Sequence, residues 1–327
     1  MDNTSEFTTR RRRNPSAEEL NDPLKQAGYL SRFHDNPLRD NERLALPLLP
    51  EVFRIVPYPN YNVAMGLMDD AANLHLMLRI IGDPGSGKTR LLLEYKKKSS
   101  IEAHYVAVPK HSSDKDLLLM ISSSIGYYPY AATCSLQLEL IAHINDQARP
   151  VVFLIDEVDN MIPKTRQRSA SNIDKLDVLR FIWDHTRKYS SFILAAPYDL
   201  EAKIQKSDEN ITNSQLYRRC PAHMMTGMPD EQARLLLSYA EEDFNIKLDE
   251  IVKSKLLQRI HQIKRGGLGV AIDILFRVLL VTVPNMKDFY QALVNDVDRN
   301  DALKLINHTE PIRITEDVLL GAMSMQR

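Results

Sequence analysis

Cysteine is scarce in this sequence, which contains only two in 327 residues, Cys134 and Cys220. The two lie far apart, so the sequence lacks the cysteine pattern of a disulfide-stabilised secreted domain, and we expect a reduced, cytoplasmic compartment. The nine histidines show no Cys/His spacing that would suit zinc. The chain starts with polar and then basic residues, and no secretory signal is expected.

Net charge and long apolar runs are lacking as well. The 42 basic and 43 acidic residues give a net charge of -1, so the composition offers no general attraction for polyanions. Any nucleic-acid contact must therefore come from local basic clusters. The longest apolar stretch, residues 268–283, contains Asp273 and Arg277. It predicts an amphipathic core helix and argues against a membrane span or a membrane partner.

The most specific feature that is present is a motif at residues 82–89. It matches the P-loop pattern G-x-x-x-x-G-K-[ST] at every fixed position, and it consists of Gly82, Asp83, Pro84, Gly85, Ser86, Gly87, Lys88 and Thr89. An apolar run precedes it like a buried strand, and residues 89–98 follow it like a helix with lysines in its last turn. An accidental match is rare, so an incidental glycine turn is the weaker alternative.

The motif predicts a site for ATP with Mg²⁺. Its glycines let the backbone bring N–H groups against phosphate oxygens. Lys88 is expected to contact the β- and γ-phosphates, and Thr89 is expected to bind Mg²⁺ through its hydroxyl. Arg90 follows directly, and we include it among the candidate ATP-binding residues.

A second half of such a site follows at residues 150–159. Residues 151–155 are consecutively apolar and rich in β-branched types, which predicts a central parallel strand buried on both faces. Asp156 then stands at the carboxyl end of the strand, where α/β sheets place ligands, and is expected to bind Mg²⁺ or its water shell. Glu157 is expected to be the general base that orients the attacking water. The alternative is a strand that merely ends in solvated acidic residues. It is less favoured here because a P-loop precedes the strand in the sequence.

The chain divides into three predicted regions. Residues 1–46 are polar, carry four arginines at positions 10–13 and are expected to form a flexible basic arm. The arginine run can contact DNA phosphates or a protein partner, or it can be a solvated tail. Residues 47–228 are predicted to be an α/β nucleotide-binding subdomain, and residues 229–327 a helical lid with a tail.

Alternating strands and helices are predicted in the second region. Strands are expected near residues 76–81, 104–108, 151–155 and 191–195, and helices near 88–98, 114–125, 134–147 and 174–188. Such alternation indicates βαβ units and a mainly parallel sheet. After Pro229 only helices are expected, near residues 230–244, 249–263, 268–283, 286–297 and 315–324.

The order of these features resembles the AAA+ superfamily: a P-loop, an acidic pair on the third strand, a fourth strand, an arginine pair and a helical lid. Within AAA+, the chain resembles the regulators of DNA transposition of the TniB/TnsC/MuB type, from residue 50 to the end. That resemblance rests on the compact length and on residues 82–89, 151–159, 193–200 and 266–277. It implies an α/β fold in which a parallel AAA+ sheet flanked by helices is followed by a small all-helical lid.

The resemblance also implies a function. Such proteins oligomerise with ATP on duplex DNA, largely without sequence preference, as a ring or helical filament of about six or seven subunits per turn. They recruit and activate a transposase at a target that another protein selects. Two departures imply slow hydrolysis: residues 195–197 lack the polar residue of the family's sensor-1 position, and Val270 takes the place of its sensor-2 arginine, with Arg265 and Arg277 displaced from it.

An arginine pair, Arg218 and Arg219, precedes the lid. In the family this is where an arginine finger meets the γ-phosphate of a neighbouring subunit, and either residue of the pair is a candidate. A finger supplied in trans makes ATP a link between subunits. The alternative is a surface pair at the carboxyl end of a helix.

Two loops contain candidate DNA contacts. Residues 109–115 follow the second strand, and residues 163–171 follow the acidic pair; both are polar and basic. In ring ATPases such loops face the central channel, so the resemblance implies DNA contacts by Lys110, Ser112, Lys115, Lys164, Arg166 and Arg168. These residues suit phosphates rather than base edges. The alternative is two solvated loops without a ligand.

Three other functions compete with this interpretation. A AAA+ helicase loader or replication initiator would share the ATPase core, but an initiator usually has an added DNA-reading domain, for which the residues beyond 284 are few. A signalling NTPase that scaffolds protein partners would ignore plain duplex DNA. An enzyme with a small-molecule phosphoryl acceptor would need an acceptor-pocket motif, and none is visible in the sequence.

Overall fold

The structure is a computed structural model that describes residues 52–110, 112–129, 133–161, 175–198, 219–262, 267–295 and 297–324. These residues belong to one compact unit, Leu48–Arg327. Several sequence predictions lie outside the described residues: the arm at 1–46 with its arginine run, Arg218, Arg265, and the loop positions Lys164, Arg166 and Arg168. The boundaries of the three predicted regions stay predictions.

A five-stranded parallel sheet forms the centre of this unit. Its strands are β1 (Met77–Gly82), β2 (Glu102–Ala107), β3 (Val151–Asp156), β4 (Ser190–Ala196) and β5 (Ala222–Met225), in the spatial order β2-β3-β4-β1-β5. Every residue of β1, β3 and β4 is buried, whereas the edge strands β2 and β5 expose some of theirs. The continuous apolar runs therefore predicted the central strands, while the short edge strand β5 was missed.

The two faces of the sheet are covered by separate apolar cores. In β3, Val152 and Leu154 belong to one core, and Phe153 and Ile155 belong to the other. Helices α1 (Pro59–Asn73) and α2 (Lys88–Lys98) cover the first face, and α3 (Asp114–Ser124), α4 (Thr133–Gln147) and α5 (Lys175–Thr186) cover the second. Burial of apolar side chains on both faces stabilises this layered α/β arrangement.

The C-terminal part of the unit is mainly helical. It contains α6 (Asp230–Asp243), α7 (Glu250–His261), α8 (Gly267–Thr282), α9 (Met286–Val294), α10 (Arg299–Leu303) and α11 (Glu316–Ser324). Its apolar side chains join the same core as α1 and α2. Among the described residues, none of the helices combines the length and the apolar character that crossing a bilayer requires.

The expectation of an all-helical lid is wrong in one respect. Two short strands, β6 (Ile246–Leu248) and β7 (Ile312–Ile314), form a parallel two-stranded sheet within the lid. Each strand has only three residues, and its partner is distant in sequence. No local periodicity can reveal such a pair, because pairing between distant segments and not the local pattern defines it.

Candidate active site

The loop between β1 and α2 needs glycine for two physical reasons. Gly85 and Gly87 have φ angles of 76° and 91°, in the left-handed region that glycine adopts without a steric penalty. At Gly82, an added Cβ would lie 2.7 Å from Ser86 Oγ and 3.0 Å from the carbonyl oxygen of Met225. The loop is therefore tightly turned and closely packed at the carboxyl end of β1.

Lys88 begins α2 and folds back over this loop. Its Nζ donates to the carbonyl oxygens of Gly82 at 2.8 Å and Asp83 at 3.0 Å, and it lies 3.5 Å from Ser86 Oγ. Burial lowers the pKa of Lys88, while the carboxylates of Asp156 and Glu157 act in the opposite direction. The lysine thus lies inside the loop, within electrostatic reach of the acidic pair.

Asp156 is the last residue of β3 and is buried, with 3% of its surface exposed. Its Oδ2 accepts a hydrogen bond from the Tyr105 hydroxyl at 2.9 Å, and its Oδ1 accepts one from the backbone N–H of Glu157 at 2.8 Å. Both carboxylate oxygens are therefore held in place at the carboxyl edge of the sheet.

Glu157 leaves the strand with a φ of 56°, an unusual backbone angle for a residue other than glycine. Its side chain is exposed. Partial desolvation and then the neighbouring carboxylates of Asp156 and Asp159 raise the pKa of Glu157, and Lys88 and Lys110 oppose that shift. A carboxylate at this edge with a raised pKa is suited to accept a proton from water.

Tyr105 was missed by sequence reasoning. It lies on β2, two residues before Ala107, which pairs with Asp156. Burial and then the charge of Asp156 raise the pKa of Tyr105. The only sequence signal was a tyrosine near the end of an edge strand, which gives no indication of the contact with β3.

These residues fit a nucleoside triphosphate with Mg²⁺. Lys88 places an ammonium group beside the carbonyl oxygens of the loop, and Asp156 places a fixed, buried carboxylate near it. Thr89 lies in the first turn of α2. Within the described ranges, no group of three or more His, Cys, Asp or Glu side chains could hold a metal ion. A bound Mg²⁺ would be held by Asp156 and Thr89 together with oxygens of the nucleotide.

Helix α8 belongs to the mainly helical C-terminal part of the unit, the lid. Its first turn contacts the loop between β1 and α2, called the phosphate loop below. The backbone N–H of Gly269 donates to the carbonyl oxygen of Gly85 at 3.2 Å. A Cβ at Gly269 would lie 3.0 Å from Gly85 Cα, so any larger residue requires the lid or the loop to move by a few tenths of an ångström. The lid therefore meets the loop through backbone atoms.

Arg277, further along α8, forms an ion pair with Asp273 of the same helix at 2.9 Å.

The contact between Gly269 and Gly85 leads to a testable prediction for Gly269→Ala. The added methyl group would crowd backbone atoms of the loop, which cannot rotate away as a side chain can, so the loop and the lid have to separate slightly. We expect nucleotide affinity to fall about tenfold, because overpacking of this kind costs roughly 1–3 kcal/mol. Affinity is measured by titration with a fluorescent ATP analogue.

Gly66→Ala is the matched control for that experiment. Gly66 lies within α1, and no atom lies within 4 Å of its added Cβ. We expect unchanged nucleotide affinity and a gain in stability of about 0.5–1 kcal/mol from the better helix former. Equal affinities of the Gly269 variant and the parent protein would show that the lid contact does not affect the nucleotide site.

A second connection joins the lid to the segment before α1. Asp243 on α6 is almost fully buried and pairs with both Arg54 and Arg299, the latter at 2.5 Å. Arg299 also donates to the carbonyl oxygen of Val52 at 3.0 Å. Arg90, one of the candidate ATP-binding residues, donates to the carbonyl oxygen of Phe53 at 3.3 Å. This segment thus bridges the phosphate-loop helix and the lid.

Arg219 is the described member of the arginine pair. Its Nη1 lies 3.1 Å from Asp184 Oδ1 on α5, and half of its side chain is exposed. The chain just after it is anchored to the sheet, because buried Arg79 donates from Nε to the carbonyl oxygen of Cys220 at 2.9 Å. Arg219 is therefore a solvent-accessible cation held at the edge of the sheet near β5.

The loop after β2 presents a cation near the acidic pair. Lys110 in this loop and Lys115 in the first turn of α3 are exposed, whereas Ser112 is partly buried and accepts a hydrogen bond from Lys175 at the start of α5. Ser113 caps α3, and its capping box includes Asp116. A side-chain hydrogen bond of 2.8 Å from Asn160 to the carbonyl oxygen of Val108 joins the loop to the turn after β3. The exits of β2 and β3 are thus tied together.

Comparisons with known proteins agree with this architecture. Residues 73–204 match the family model of the AAA domain. The DNA-bound ORC1 protein of Aeropyrum pernix is similar in structure, with 12% identity, a TM-score of 0.55 and coverage of 88% of this chain and 69% of that one. No curated protein matches the sequence significantly.

Two further solved structures show the same fold. Cdc6p of Pyrobaculum aerophilum has 18% identity and a TM-score of 0.53, and the match covers 83% of this chain and 73% of that one. The ORC2 protein of Aeropyrum pernix, solved as ADPNP-ADP complexes, has 14% identity and a TM-score of 0.53, with coverage of 85% and 71%. The sheet order, the phosphate loop and the lid together identify the fold of this chain as the AAA+ P-loop fold.

Proposed function

We propose that this protein is an ATP-dependent switch that oligomerises on duplex DNA and hydrolyses ATP slowly. The observation that carries the proposal is the convergence of Lys88, Asp156 and Glu157 at one edge of a parallel sheet, with the lid helix α8 in contact with the phosphate loop. Phosphate loops at helix N-termini bind anions through backbone N–H groups, and Lys88 adds a positive charge there.

Hydrolysis requires few groups from the protein. In the proposed reaction Lys88 would bind the terminal phosphates, Thr89 and Asp156 would hold the metal, and Glu157 would orient the attacking water and accept its proton. A bound Mg²⁺ supplies charge neutralisation on the phosphate oxygens. The end of β4 adds no polar group, since Ala195 and Ala196 are buried and Pro197 follows. The lack of a polar side chain at that position supports a slow reaction.

We propose that subunits assemble because Arg219 contacts the nucleotide of a neighbouring subunit and not the nucleotide bound by its own phosphate loop. Arg219 is exposed at the edge of the sheet, where its partner Asp184 is also partly exposed. A surface ion pair of this kind contributes only about 0–1 kcal/mol, so a stronger anion can replace Asp184. A γ-phosphate bound by a neighbouring subunit is such an anion. Arg218 remains a candidate for the same role.

DNA binding is supported by the position of the basic loops. Lys110 is exposed just after β2, and Lys115 is exposed in the first turn of α3. Residues 163–171, which follow β3 in the sequence, add Lys164, Arg166 and Arg168. The similar ORC1 structure is a complex with DNA. Contacts to phosphates would give binding with little sequence preference.

Alanine at Lys164, Arg166 and Arg168 is expected to weaken DNA binding evenly across sequences. Each lost phosphate contact should flatten the slope of log K against log salt by about 0.9. The matched control replaces Lys96, Lys97 and Lys98 at the end of α2, which removes the same charge elsewhere. Anisotropy titrations over a range of salt concentrations measure both quantities. If both triple variants behave alike, the loop has no specific role in DNA binding.

The finer role we propose is regulation of DNA transposition, on the strength of the sequence resemblance. A replication initiator or helicase loader is the second candidate, favoured by the structural similarity to ORC1, Cdc6p and ORC2. Stimulation of a transposase supports the first candidate, and delivery of a helicase supports the second. A protein that binds its partners equally well without DNA would instead be a signalling scaffold.

Nucleotide-dependent DNA binding is the direct test of the proposal. The protein is titrated into labelled duplexes of several sequences without nucleotide, with ADP and with a slowly hydrolysed ATP analogue. We expect tight binding to every duplex only with the ATP analogue. Binding that is the same in all three conditions contradicts an ATP-dependent switch.

A further inference from the structure

We propose that Tyr105 is a positioning residue that fixes the orientation of Asp156 for Mg²⁺ binding. This inference rests on the proposed Mg²⁺–ATP site and adds to it a side chain outside both sequence motifs. Tyr105 lies on β2, whereas the motif residues lie on β3 and on the loop after β1. The contact between them is a hydrogen bond of 2.9 Å from the Tyr105 hydroxyl to Asp156 Oδ2.

The parallel pairing of β2 with β3 produces this contact. Ala107 pairs with Asp156, and Tyr105 pairs with Leu154. The long side chain of Tyr105 therefore starts two residues before the carboxyl edge and ends at the carboxylate. A shorter side chain at this position cannot reach Asp156, and phenylalanine can fill the space without donating a hydrogen bond.

The hydrogen bond holds the one carboxylate oxygen that the backbone leaves free. Oδ1 of Asp156 already accepts from the N–H of Glu157 at 2.8 Å. Lys88 does not perform this task, because its Nζ donates to oxygens of its own loop. Within the described part of the chain, Tyr105 is the one side chain that donates a hydrogen bond to Asp156. Loss of its hydroxyl leaves the carboxylate free to rotate about one fixed oxygen.

Rotational freedom of a metal ligand has a measurable cost. Groups that orient a ligand through hydrogen bonds typically change metal affinity by about 10- to 100-fold when they are removed. The hydrogen bond of the Tyr105 hydroxyl goes to Asp156 and not to the phosphate loop, so nucleotide binding without metal should not depend on it. Two quantities therefore have to be measured. The first is the affinity for nucleotide in EDTA, which should not depend on Tyr105. The second is the Mg²⁺ concentration that gives half of the metal-dependent increase in nucleotide affinity, which should.

The test compares Tyr105→Phe with the parent protein in titrations of a fluorescent ATP analogue. We expect unchanged affinity in EDTA and an increase of about tenfold in the half-saturating Mg²⁺ concentration. Tyr95→Phe is the matched control, since Tyr95 is a buried tyrosine whose hydroxyl donates to the carbonyl oxygen of Met68 at 3.3 Å, outside the motifs. This control should leave both quantities unchanged.

Each outcome bears on one claim. Equal half-saturating Mg²⁺ concentrations for Tyr105→Phe and the parent overturn the positioning role. An affinity loss of the same size in EDTA and in Mg²⁺ also overturns it, because that result indicates a general structural role. If Tyr105 acts through the Asp156 carboxylate, the double variant Asp156→Asn, Tyr105→Phe should have the same half-saturating Mg²⁺ concentration as Asp156→Asn alone. A parent protein whose nucleotide binding ignores Mg²⁺ instead contradicts the proposed Mg²⁺–ATP site itself.

Discussion

Replacement of Lys88 by alanine is expected to weaken nucleotide binding strongly and, with it, assembly on DNA. The ammonium group lies among the carbonyl oxygens of the phosphate loop, and the change removes the one lysine of that loop. Hydrogen bonds to charged groups contribute about 1.5–3 kcal/mol, so affinity for ATP should fall roughly 10- to 100-fold. Assembly should be lost at ATP concentrations that saturate the parent protein.

Nucleotide titration and light scattering with duplex DNA measure the two effects of Lys88→Ala. Lys247→Ala is the matched control, because Lys247 is exposed in β6 of the lid. Melting curves show whether either variant is less stable. If Lys88→Ala bound ATP and assembled like the parent protein, the loop after β1 would not be the nucleotide site.

Glu157→Gln is expected to separate ATP binding from hydrolysis. Glutamine has nearly the same size and tolerates the same backbone angle at a similar cost, but it cannot accept a proton from water. General-base catalysis typically contributes about 10²- to 10⁴-fold, so the hydrolysis rate should fall by that factor. Affinity for ATP should remain, and assemblies on DNA should persist.

The lifetime of assemblies after removal of free ATP shows whether hydrolysis controls disassembly. Glu102→Gln makes the same chemical change at the opposite end of the sheet, where Glu102 begins β2 and pairs with Arg149. This control should hydrolyse ATP and disassemble as the parent protein does. If the Glu157→Gln assembly dissociates as quickly as the parent assembly, ATP hydrolysis does not set the rate of disassembly.

The sequence predicted the features that depend on local pattern. The apolar runs of β1, β3 and β4 are visible because buried central strands need no polar face. The P-loop has fixed spacing, so Lys88 and Thr89 could be proposed as phosphate-binding and Mg²⁺-binding residues without a structure. The fold class could also be predicted, because strands that alternate with helices form a parallel sheet, and only a few topologies of such a sheet are allowed.

The features that the sequence did not reveal depend on contacts between distant segments. Tyr105 reaches Asp156 only through the pairing of β2 with β3, and Gly269 reaches Gly85 only through the docking of α8. The β6–β7 pair likewise joins residues far apart in the chain. Single residues of this kind carry no periodic signal, so no spacing rule identifies them.

The most direct test of the central claim is electron microscopy of the protein with duplex DNA, with and without a slowly hydrolysed ATP analogue. The account predicts closed rings or helical filaments around the DNA with the analogue, with nucleotide between neighbouring subunits and Arg218 or Arg219 facing its γ-phosphate. Without nucleotide, only dispersed protein is expected. Monomers that leave the DNA bare when saturated with the analogue would contradict the account.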